Sequence, residues 1–240
     1  MTIESTFSIT SPPGLVSIVI PCCGMLEYTQ VCVPTLLRAS REPFELIFLD
    51  IGSLDGTAAY LAGLRHGQLN RRVEVCRTET DLDIPAACKD ALAKARGEFV
   101  CLLNNDTVVV PGWLEALTGL AKLSEGHGLV GPMSNNAAPP QLVETVRYRL
   151  GRRKDGQLID VSAVQGFARD FAGQHRGKWM QVERLGGFCL LVRRAVLDRV
   201  GSALDEWTDL GRFDTDILSA KAHQRASRPC AGGTVSRDRS

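Results

Sequence analysis

The sequence predicts one α/β domain with a Rossmann-like, mostly parallel central sheet flanked by helices. Short, continuous apolar runs rich in β-branched residues, such as residues 15–21, are typical of strands buried on both faces. Stretches of about 10–15 residues with helical patterning separate successive runs, which indicates right-handed βαβ crossovers. A chain of 240 residues is long enough to bury one full core.

The alternation is regular in the first half of the chain and weaker in the second. Strands are predicted at residues 15–21, 44–50, 73–77 and 98–103, and helices at 26–40, 57–69, 84–95 and 111–123. Pro111 would occupy the first position of the fourth helix. Further on we predict a short strand at 128–131, a strand at 185–193, a helix at 195–200 and an amphipathic stretch at 214–223. The domain would span residues 15–220, between a flexible segment at 1–14 and an irregular basic tail at 221–240.

Composition excludes several classes of protein. The net charge of +1 and the aromatic content of 6% disfavour a nucleic-acid partner. A hydrophobic content of 44% excludes a mostly disordered chain. The longest apolar runs are far shorter than the roughly 20 residues that cross a bilayer. The N-terminus lacks the pattern of a secretory signal, so we expect a cytoplasmic protein.

The eight cysteines include no CxxC pair, and Cys22, Cys32, Cys101 and Cys189 lie in or beside apolar segments. We therefore expect structural roles for the cysteines rather than a zinc or redox site.

Polar loops follow three of the predicted strands. They are Pro21–Gly24, Asp50–Thr57 and Asn104–Thr107. Ligands of open parallel sheets bind beyond the carboxyl ends of the strands. The three loops are therefore expected to converge on one ligand-binding edge.

Two of these loops carry candidate acidic residues. Asp50 ends a strand, where its carboxylate could accept the N3–H of a uracil or thymine ring or a ribose hydroxyl. Ser53 and Asp55 precede a helix, and routine capping of its N–H groups is the alternative to a ligand contact. The run Asn104-Asn105-Asp106 could hold a divalent ion that shares ligands with a diphosphate, or form an ordinary turn closed by side-chain hydrogen bonds.

Together these segments resemble the family 2 glycosyltransferases, which have the GT-A fold and invert the configuration of a sugar taken from a nucleotide donor. The resemblance covers about residues 16–218. It is carried by the segments SIVIPCCG, ELIFLDIGSLDGT, ARGEFVCLLNNDTVVVPGWLEAL, LVGPMSNNAAPPQ, GGFCLLVRRAVLDRVG and FDTDIL.

The resemblance implies roles for individual residues. Asp50 would contact the nucleobase and Asp106 would bind Mg²⁺ or Mn²⁺. Asp214 would be the general base, supported by Asp216, with capping of a following helix as the alternative for this pair. Lys89 would face the diphosphate or remain a solvated helix residue. The other implied contacts to the nucleotide sugar are Pro21, through its backbone, Ser53, Asp55, Asn104 and Asn105.

The sequence departs from the family pattern at several places. Cys22-Cys23-Gly24 replaces the usual first loop, and Asp83 and Lys89 replace a glycine and an asparagine. No histidine matches the one that often completes the metal site, since His223 is the sole histidine between the FDTD segment and the basic tail. These departures raise an alternative hypothesis, in which the chain is a catalytically impaired nucleotide-binding remnant.

The expected reaction is transfer from a UDP- or dTDP-sugar to a hydroxyl of a glycan or a lipid-linked saccharide. The basic residues between Arg147 and Lys154 could meet a membrane surface or form a solvated loop. This cluster places the expected cytoplasmic enzyme either in solution or at the inner membrane face. The sequence makes no prediction of oligomeric state.

Overall fold

The computed structural model describes residues 11–67, 69–79, 84–148 and 159–200, and for residues 84–87 and 200 it describes the backbone alone. No helix within these ranges is long and apolar enough to cross a membrane. The predicted segment at 214–223 and the tail at 221–240 lie outside the described residues, as do residues 1–10. Residues 11–14 lead into the first strand through a turn, in which the Leu15 N–H donates to the Pro12 carbonyl at 3.2 Å.

The described elements alternate between strands and helices. Their bounds are β1 Val16–Cys22, α1 Leu26–Ala39, β2 Phe44–Ile51, α2 Thr57–His66, β3 Val73–Thr78, α3 Ile84–Lys94, β4 Phe99–Leu103, α4 Trp113–Lys122, β5 Leu129–Val130, α5 Val161–Gln174, β6 Cys189–Arg193 and α6 Arg194–Val200.

The strands form a six-stranded sheet in the order β3-β2-β1-β4-β6-β5. Strands β1 to β4 run parallel to one another, and β6 runs antiparallel to both β4 and β5. The prediction of a mostly parallel sheet flanked by helices in one domain is therefore confirmed. β1 lies between β2 and β4, so the chain leaves β1 in one direction along the sheet and later returns on its other side. Such a reversal creates a crevice at the carboxyl ends of the strands.

Both faces of the sheet are covered by helices, as the continuous apolar strands require. One core joins β1 and β2 to α1, α2 and α4, through residues that include Ile18, Phe48, Leu36, Leu61 and Leu114. The second core joins the opposite face to α3 and α6, through residues that include Val19, Ile47, Leu92, Val196 and Leu197. The sheet is thus buried on both faces, and its carboxyl edge is bordered by the loops that follow the strands.

The amino-terminal edge of the sheet is fixed by a buried carboxylate. Glu45 is 3% exposed and accepts hydrogen bonds from the Ser17 hydroxyl, the Arg72 guanidinium and the Arg96 N–H at 2.6–2.7 Å. Burial opposes the charged form of Glu45, but these hydrogen bonds outweigh burial and lower its pKa. Gly97 lies beside this group, where a Cβ atom would approach the backbone of Ser17 and Phe99 within 2.6 Å.

Several element boundaries differ from the sequence prediction. The fourth helix begins at Trp113 rather than Pro111, because Gly112 adopts a left-handed φ of 85° that helical residues do not have. The strand predicted at 185–193 begins only at Cys189, where pairing with β4 starts. Helix α5 was not predicted. Its N-cap is Asp160, whose carboxylate accepts from the Ala163 N–H at 3.1 Å.

Candidate functional site

The loops that follow β1, β2 and β4 meet at the carboxyl edge of the sheet, as the sequence predicts. Hydrogen bonds join them directly. The Ser53 hydroxyl accepts from the Gly24 N–H at 2.8 Å, and Asn105 donates through Nδ2 to the Gly24 carbonyl at 3.3 Å. The first loop is therefore held between the other two, beside the crevice that the strand order creates.

Asp50 lies near the end of β2 and is 1% exposed. Its Oδ1 accepts from the Ser53 N–H at 3.2 Å, and its Oδ2 accepts from Nη1 of Arg77 at 3.0 Å. Arg77 is directly opposite Asp50 in the register of β2 and β3. Sequence reasoning did not identify Arg77. The one available signal was its position as the last residue of the predicted strand at 73–77, because the carboxyl end of that strand lies at the same edge of the sheet.

The first loop changes direction through two left-handed residues. Gly24 has φ 64° and Met25 has φ 61°. The bend directs the N–H of Gly24 toward Ser53, and glycine adopts this left-handed φ without strain. Pro21 itself is half-buried within β1, opposite Leu49. Its neighbour Cys22 is fully buried, and desolvation raises the pKa of the Cys22 thiol to about 12.

Asp55 connects the starts of two helices. Its Oδ2 accepts from the Leu26 N–H of α1 at 2.9 Å, and its Oδ1 accepts from the N–H and the hydroxyl of Thr57 in α2 at 3.2 and 2.6 Å. The hydrogen bonds from Thr57 and Leu26 lower the pKa of Asp55 to about 2. The capping alternative therefore describes what this side chain does in the structure. Contact between Asp55 and a nucleotide stays a prediction.

The segment Asn104-Asn105-Asp106 directly follows β4. The Asn104 N–H donates to the Phe188 carbonyl at 2.9 Å, and the Thr107 N–H closes a turn on the Asn104 carbonyl at 3.2 Å. Asn105 donates to the Thr29 hydroxyl at 2.9 Å. Thr29 is fully buried in α1 and was also missed by sequence reasoning. Asn105 is thus held through its side chain, and Asn104 through its backbone.

Asp106 differs from its two neighbours. Its carboxylate is exposed, and within the described part of the chain it takes part in no hydrogen bond or ion pair. The described residues also contain no group of three or more His, Cys, Asp or Glu side chains that could hold a metal. One exposed carboxylate suits Mg²⁺ or Mn²⁺, because these ions commonly take one or two protein carboxylates and complete their shell with phosphate oxygens and water.

The roles predicted for the remaining site residues stay predictions. Lys89 lies exposed on α3. Asp214, Asp216, His223 and Asp83 lie outside the described residues. Arg147 is exposed, and the other basic residues of its cluster, from Arg149 to Lys154, are also outside.

The cysteines that sequence reasoning placed in apolar segments are buried: Cys22, Cys32, Cys101 and Cys189. They are free thiols, and so is the exposed Cys23.

Two solved structures share the fold of this chain. A mannosyltransferase from Pyrobaculum calidifontis, solved with GDP-Man and Mn²⁺, aligns with a TM-score of 0.56 and 18% identity over 86% of this chain and 51% of its own. A fragment of TarS from S. aureus, solved with UDP, aligns with a TM-score of 0.55 and 18% identity over 86% of this chain and 54% of its own.

Sequence relatives extend the comparison. Protein y4gI of Sinorhizobium fredii is 29% identical over 213 residues, which cover 85% of this chain and 22% of that protein. Glycosyltransferase GlyG of Streptococcus pneumoniae is 23% identical over 121 residues, or 50% of this chain and 40% of GlyG. The chain thus spans less than half the length of these relatives and about half of the solved structures.

The family profile for glycosyl transferase family 2 matches residues 17–200, well over half of the chain. This match includes all of β1 except Val16, the loops that carry Asp50 and Asp106, and every described strand and helix after them. The chain belongs to glycosyl transferase family 2.

Proposed function

We propose that this chain is an inverting glycosyltransferase that moves a sugar from a UDP- or dTDP-sugar to a hydroxyl of a glycan or lipid-linked saccharide. The observation that carries the proposal is the joining of the three loops at the crevice. It brings Asp50 and the exposed carboxylate of Asp106 to the same edge of the sheet in a family 2 chain. The complexes of the mannosyltransferase with GDP-Man and of TarS with UDP support binding of a nucleotide sugar by this chain.

Several residues of this edge would each contribute a contact or a support for the bound donor. Asp50 would accept the ring N–H of the nucleobase, and Ser53 would hold the first loop in place beneath the nucleoside. Asn104 and Asn105 would fix the turn from which Asp106 reaches the diphosphate. Asp55 holds the same loops in position, because it joins the start of α1 to the start of α2.

Asp106 is the described residue suited to hold Mg²⁺ or Mn²⁺. When bound there, the ion would neutralise the negative charge that develops on the departing diphosphate. The mannosyltransferase complex with Mn²⁺ supports the use of a divalent ion.

The catalytic step would need a carboxylate on the opposite side of the sugar. Inverting transfer is a direct displacement at the anomeric carbon, so a base must take the proton of the acceptor hydroxyl on the face away from the leaving group. We assign that role to Asp214, with Asp216 as its support. Both assignments rest on the match of the FDTD segment to the family pattern.

The acceptor class is proposed from relatives. The Bacillus subtilis protein TuaG, which is 29% identical over 92 residues covering 38% of this chain and 36% of TuaG, is named for teichuronic acid biosynthesis. A cell-envelope polysaccharide or its lipid-linked precursor is consistent with this name. We propose a cytoplasmic site of action, with contact to the inner membrane face through the basic residues around Arg147.

A donor screen tests the proposal. The full chain is incubated with Mn²⁺ or Mg²⁺ and a panel of UDP-, dTDP-, GDP- and CDP-sugars, and release of the nucleoside diphosphate is measured with and without saccharide acceptors. We expect release from UDP- or dTDP-sugars and its loss in Asp214→Asn. Donor binding without any turnover would instead favour the impaired remnant, and absence of both binding and turnover would contradict the proposal.

A further inference from the structure

The end of the sheet opposite the candidate site carries exposed basic residues. Because β1 to β4 run parallel, the connections that follow α1, α2 and α3 all lie at their amino-terminal end. The turn after α4 lies there too, since it leads into β5, where Leu129 pairs with Val192 near the end of β6. The exposed basic residues of these connections and of the helical turns before them, which we call the basic end, are Arg38, Arg41, Arg65, Arg96 and Lys122.

Acidic side chains do not neutralise the basic end. None of its five residues forms an ion pair with another residue in the described part of the chain. Other charges nearby are already paired: Arg72 with Glu45 and Glu74, Lys94 with Asp90, and Arg193 with Glu98. Among the described residues, the nearby acids without an ion pair are Glu42, Glu115 and Glu125. The five cations outnumber them, although the whole chain has a net charge of +1.

Exposed apolar side chains lie at the same end. Leu123 is 69% exposed, Trp179 is 55% exposed and Met180 is 65% exposed. The ring of Trp179 packs edge to face on that of His127, with the ring centroids 5.2 Å apart, and His127 Nδ1 lies 2.9 Å from the Leu120 carbonyl of α4. Trp179 and Met180 therefore lie beside the turn that begins with Leu123. Tryptophan is enriched where a bilayer meets water, because its ring is apolar and its N–H is polar.

We propose that the basic end docks on a bilayer that contains anionic lipids. The inference rests on the proposed function for its choice of a membrane as partner. It assigns the contact to a surface other than the basic residues around Arg147. Each Lys or Arg close to an anionic bilayer strengthens binding, and Leu123, Trp179 and Met180 enter the headgroup region. A nucleic acid or an acidic protein would use the cations but leave these three apolar side chains in water.

Charge also sets the orientation of the docked protein. The opposite edge of the sheet carries Asp50, Asp55 and Asp106, of which Asp50 is paired with Arg77. Anionic lipids attract the basic end and repel the acidic edge, so the molecule approaches the bilayer with the basic end first. The loops of the candidate site then face solvent, where a donor and the saccharide part of a lipid-linked acceptor can reach them.

Vesicle co-sedimentation tests the proposal. The full chain is mixed with phosphatidylcholine vesicles that contain or lack phosphatidylglycerol. We expect binding to the anionic vesicles that weakens as salt rises, and little binding to the neutral ones. Each cation contributes about fivefold, so the triple variant Arg38→Gln/Arg41→Gln/Arg96→Gln should bind about a hundredfold more weakly. Trp179→Ser should lower the affinity about tenfold.

A matched pair of glutamates keeps the test informative if the triple variant does not fold. Glu42 lies at the basic end, between α1 and β2, whereas the exposed Glu27 lies in the first turn of α1 at the opposite edge. Glu42→Gln should strengthen binding to anionic vesicles by up to about fivefold, and Glu27→Gln should change it by less than about twofold. Loss of folding cannot produce this strengthening. Equal effects of the two substitutions would contradict docking through the basic end.

Three outcomes would overturn the inference: no binding to anionic vesicles, unchanged binding of the folded triple variant, or loss of binding in Arg147→Gln alone. The last result would assign the contact to the surface around Arg147 and leave the proposed function intact. Release of nucleoside diphosphate in the absence of vesicles separates the two proposals, and we expect the triple variant to retain it. If wild type binds anionic vesicles through the basic end but releases no nucleoside diphosphate, the proposed function fails and the docking surface stands.

Discussion

Asn105 donates a 2.9 Å hydrogen bond to the hydroxyl of the buried Thr29, and this bond ties the loop after β4 to α1. Asn105 also reaches the Gly24 carbonyl of the first loop at 3.3 Å. The residue that follows it, Asp106, is exposed. One asparagine therefore fixes the position of the candidate metal-binding carboxylate relative to the loop that would lie beneath the nucleoside.

The bond between Asn105 and Thr29 can be measured as an interaction energy. We expect Asn105→Ala and Thr29→Val each to lower the free energy of unfolding by about 1–2 kcal/mol, because each leaves a polar partner unsatisfied. In the double variant the losses should fall short of their sum by about 1 kcal/mol. Urea denaturation of the four proteins gives this value. Strict additivity would mean that the bond does not contribute to stability.

Removing the charge of Glu45 should destabilise the fold while leaving the carboxyl edge intact. In Glu45→Gln one carboxylate oxygen becomes an amide donor that faces the donors of Ser17, Arg72 and Arg96. We expect a loss of about 2–3 kcal/mol by urea denaturation. Glu74→Gln is the control, since Glu74 pairs with the same Arg72 but is 25% exposed, and it should cost less than about 1 kcal/mol. Equal losses in both variants would contradict the special role of the buried carboxylate.

Close backbone packing around position 97 leaves room for glycine but not for a larger residue. A methyl group there would lie 2.6–2.7 Å from backbone atoms of Leu15, Ser17 and Phe99, which cannot move without breaking the pairing of β1 with β4. We expect Gly97→Ala to cost about 3 kcal/mol or to prevent folding. The control Gly119→Ala lies in α4 with open space around it and should stabilise by about 0.5–1 kcal/mol. Thermal melting compares the two. A Gly97→Ala protein as stable as wild type would contradict the close approach of these backbone atoms to position 97.

Acid should weaken the junction that Asp55 makes between α1 and α2. The pKa of Asp55 is about 2 in the folded protein, against 3.8 for an unperturbed side chain. Because the folded pKa is the lower one, this stabilisation is complete above pH 3.8 and is lost as pH falls toward 2. The dependence of stability on pH in this window should be shallower in Asp55→Asn than in wild type. Identical pH profiles of the urea midpoint would argue against the hydrogen bonds to Leu26 and Thr57.

The fold could be predicted because its strands have a clear sequence pattern. Runs such as β1 and β2 are apolar on both faces and alternate with helices, so the parallel sheet and its polar edge follow from the pattern. Helix α5 was missed, although Val161, Val164, Phe167 and Phe171 recur at near-helical spacing after the N-cap Asp160. The glycine and charged residues within it weaken the periodic signal.

The site was predictable only in part. Asp50, Ser53 and Asp106 stand where strands end, and topology alone brings them to one edge. The pairing of Asp50 with Arg77 depends on the register of β2 and β3, and the bond of Asn105 to Thr29 depends on how α1 packs. Neither relationship follows from spacing along the chain. Asp214 and Asp216 remain predictions from the sequence pattern.

The central claim, that Asp106 holds a divalent ion shared with a bound nucleoside diphosphate, is tested most directly by UDP titration with and without Mn²⁺. We expect Mn²⁺ to tighten UDP binding by about tenfold or more in wild type and to have little effect in Asp106→Asn. Asp170→Asn, which alters an exposed carboxylate on α5, should behave as wild type. If Mn²⁺ strengthens UDP binding equally in wild type and Asp106→Asn, the assignment of Asp106 is contradicted.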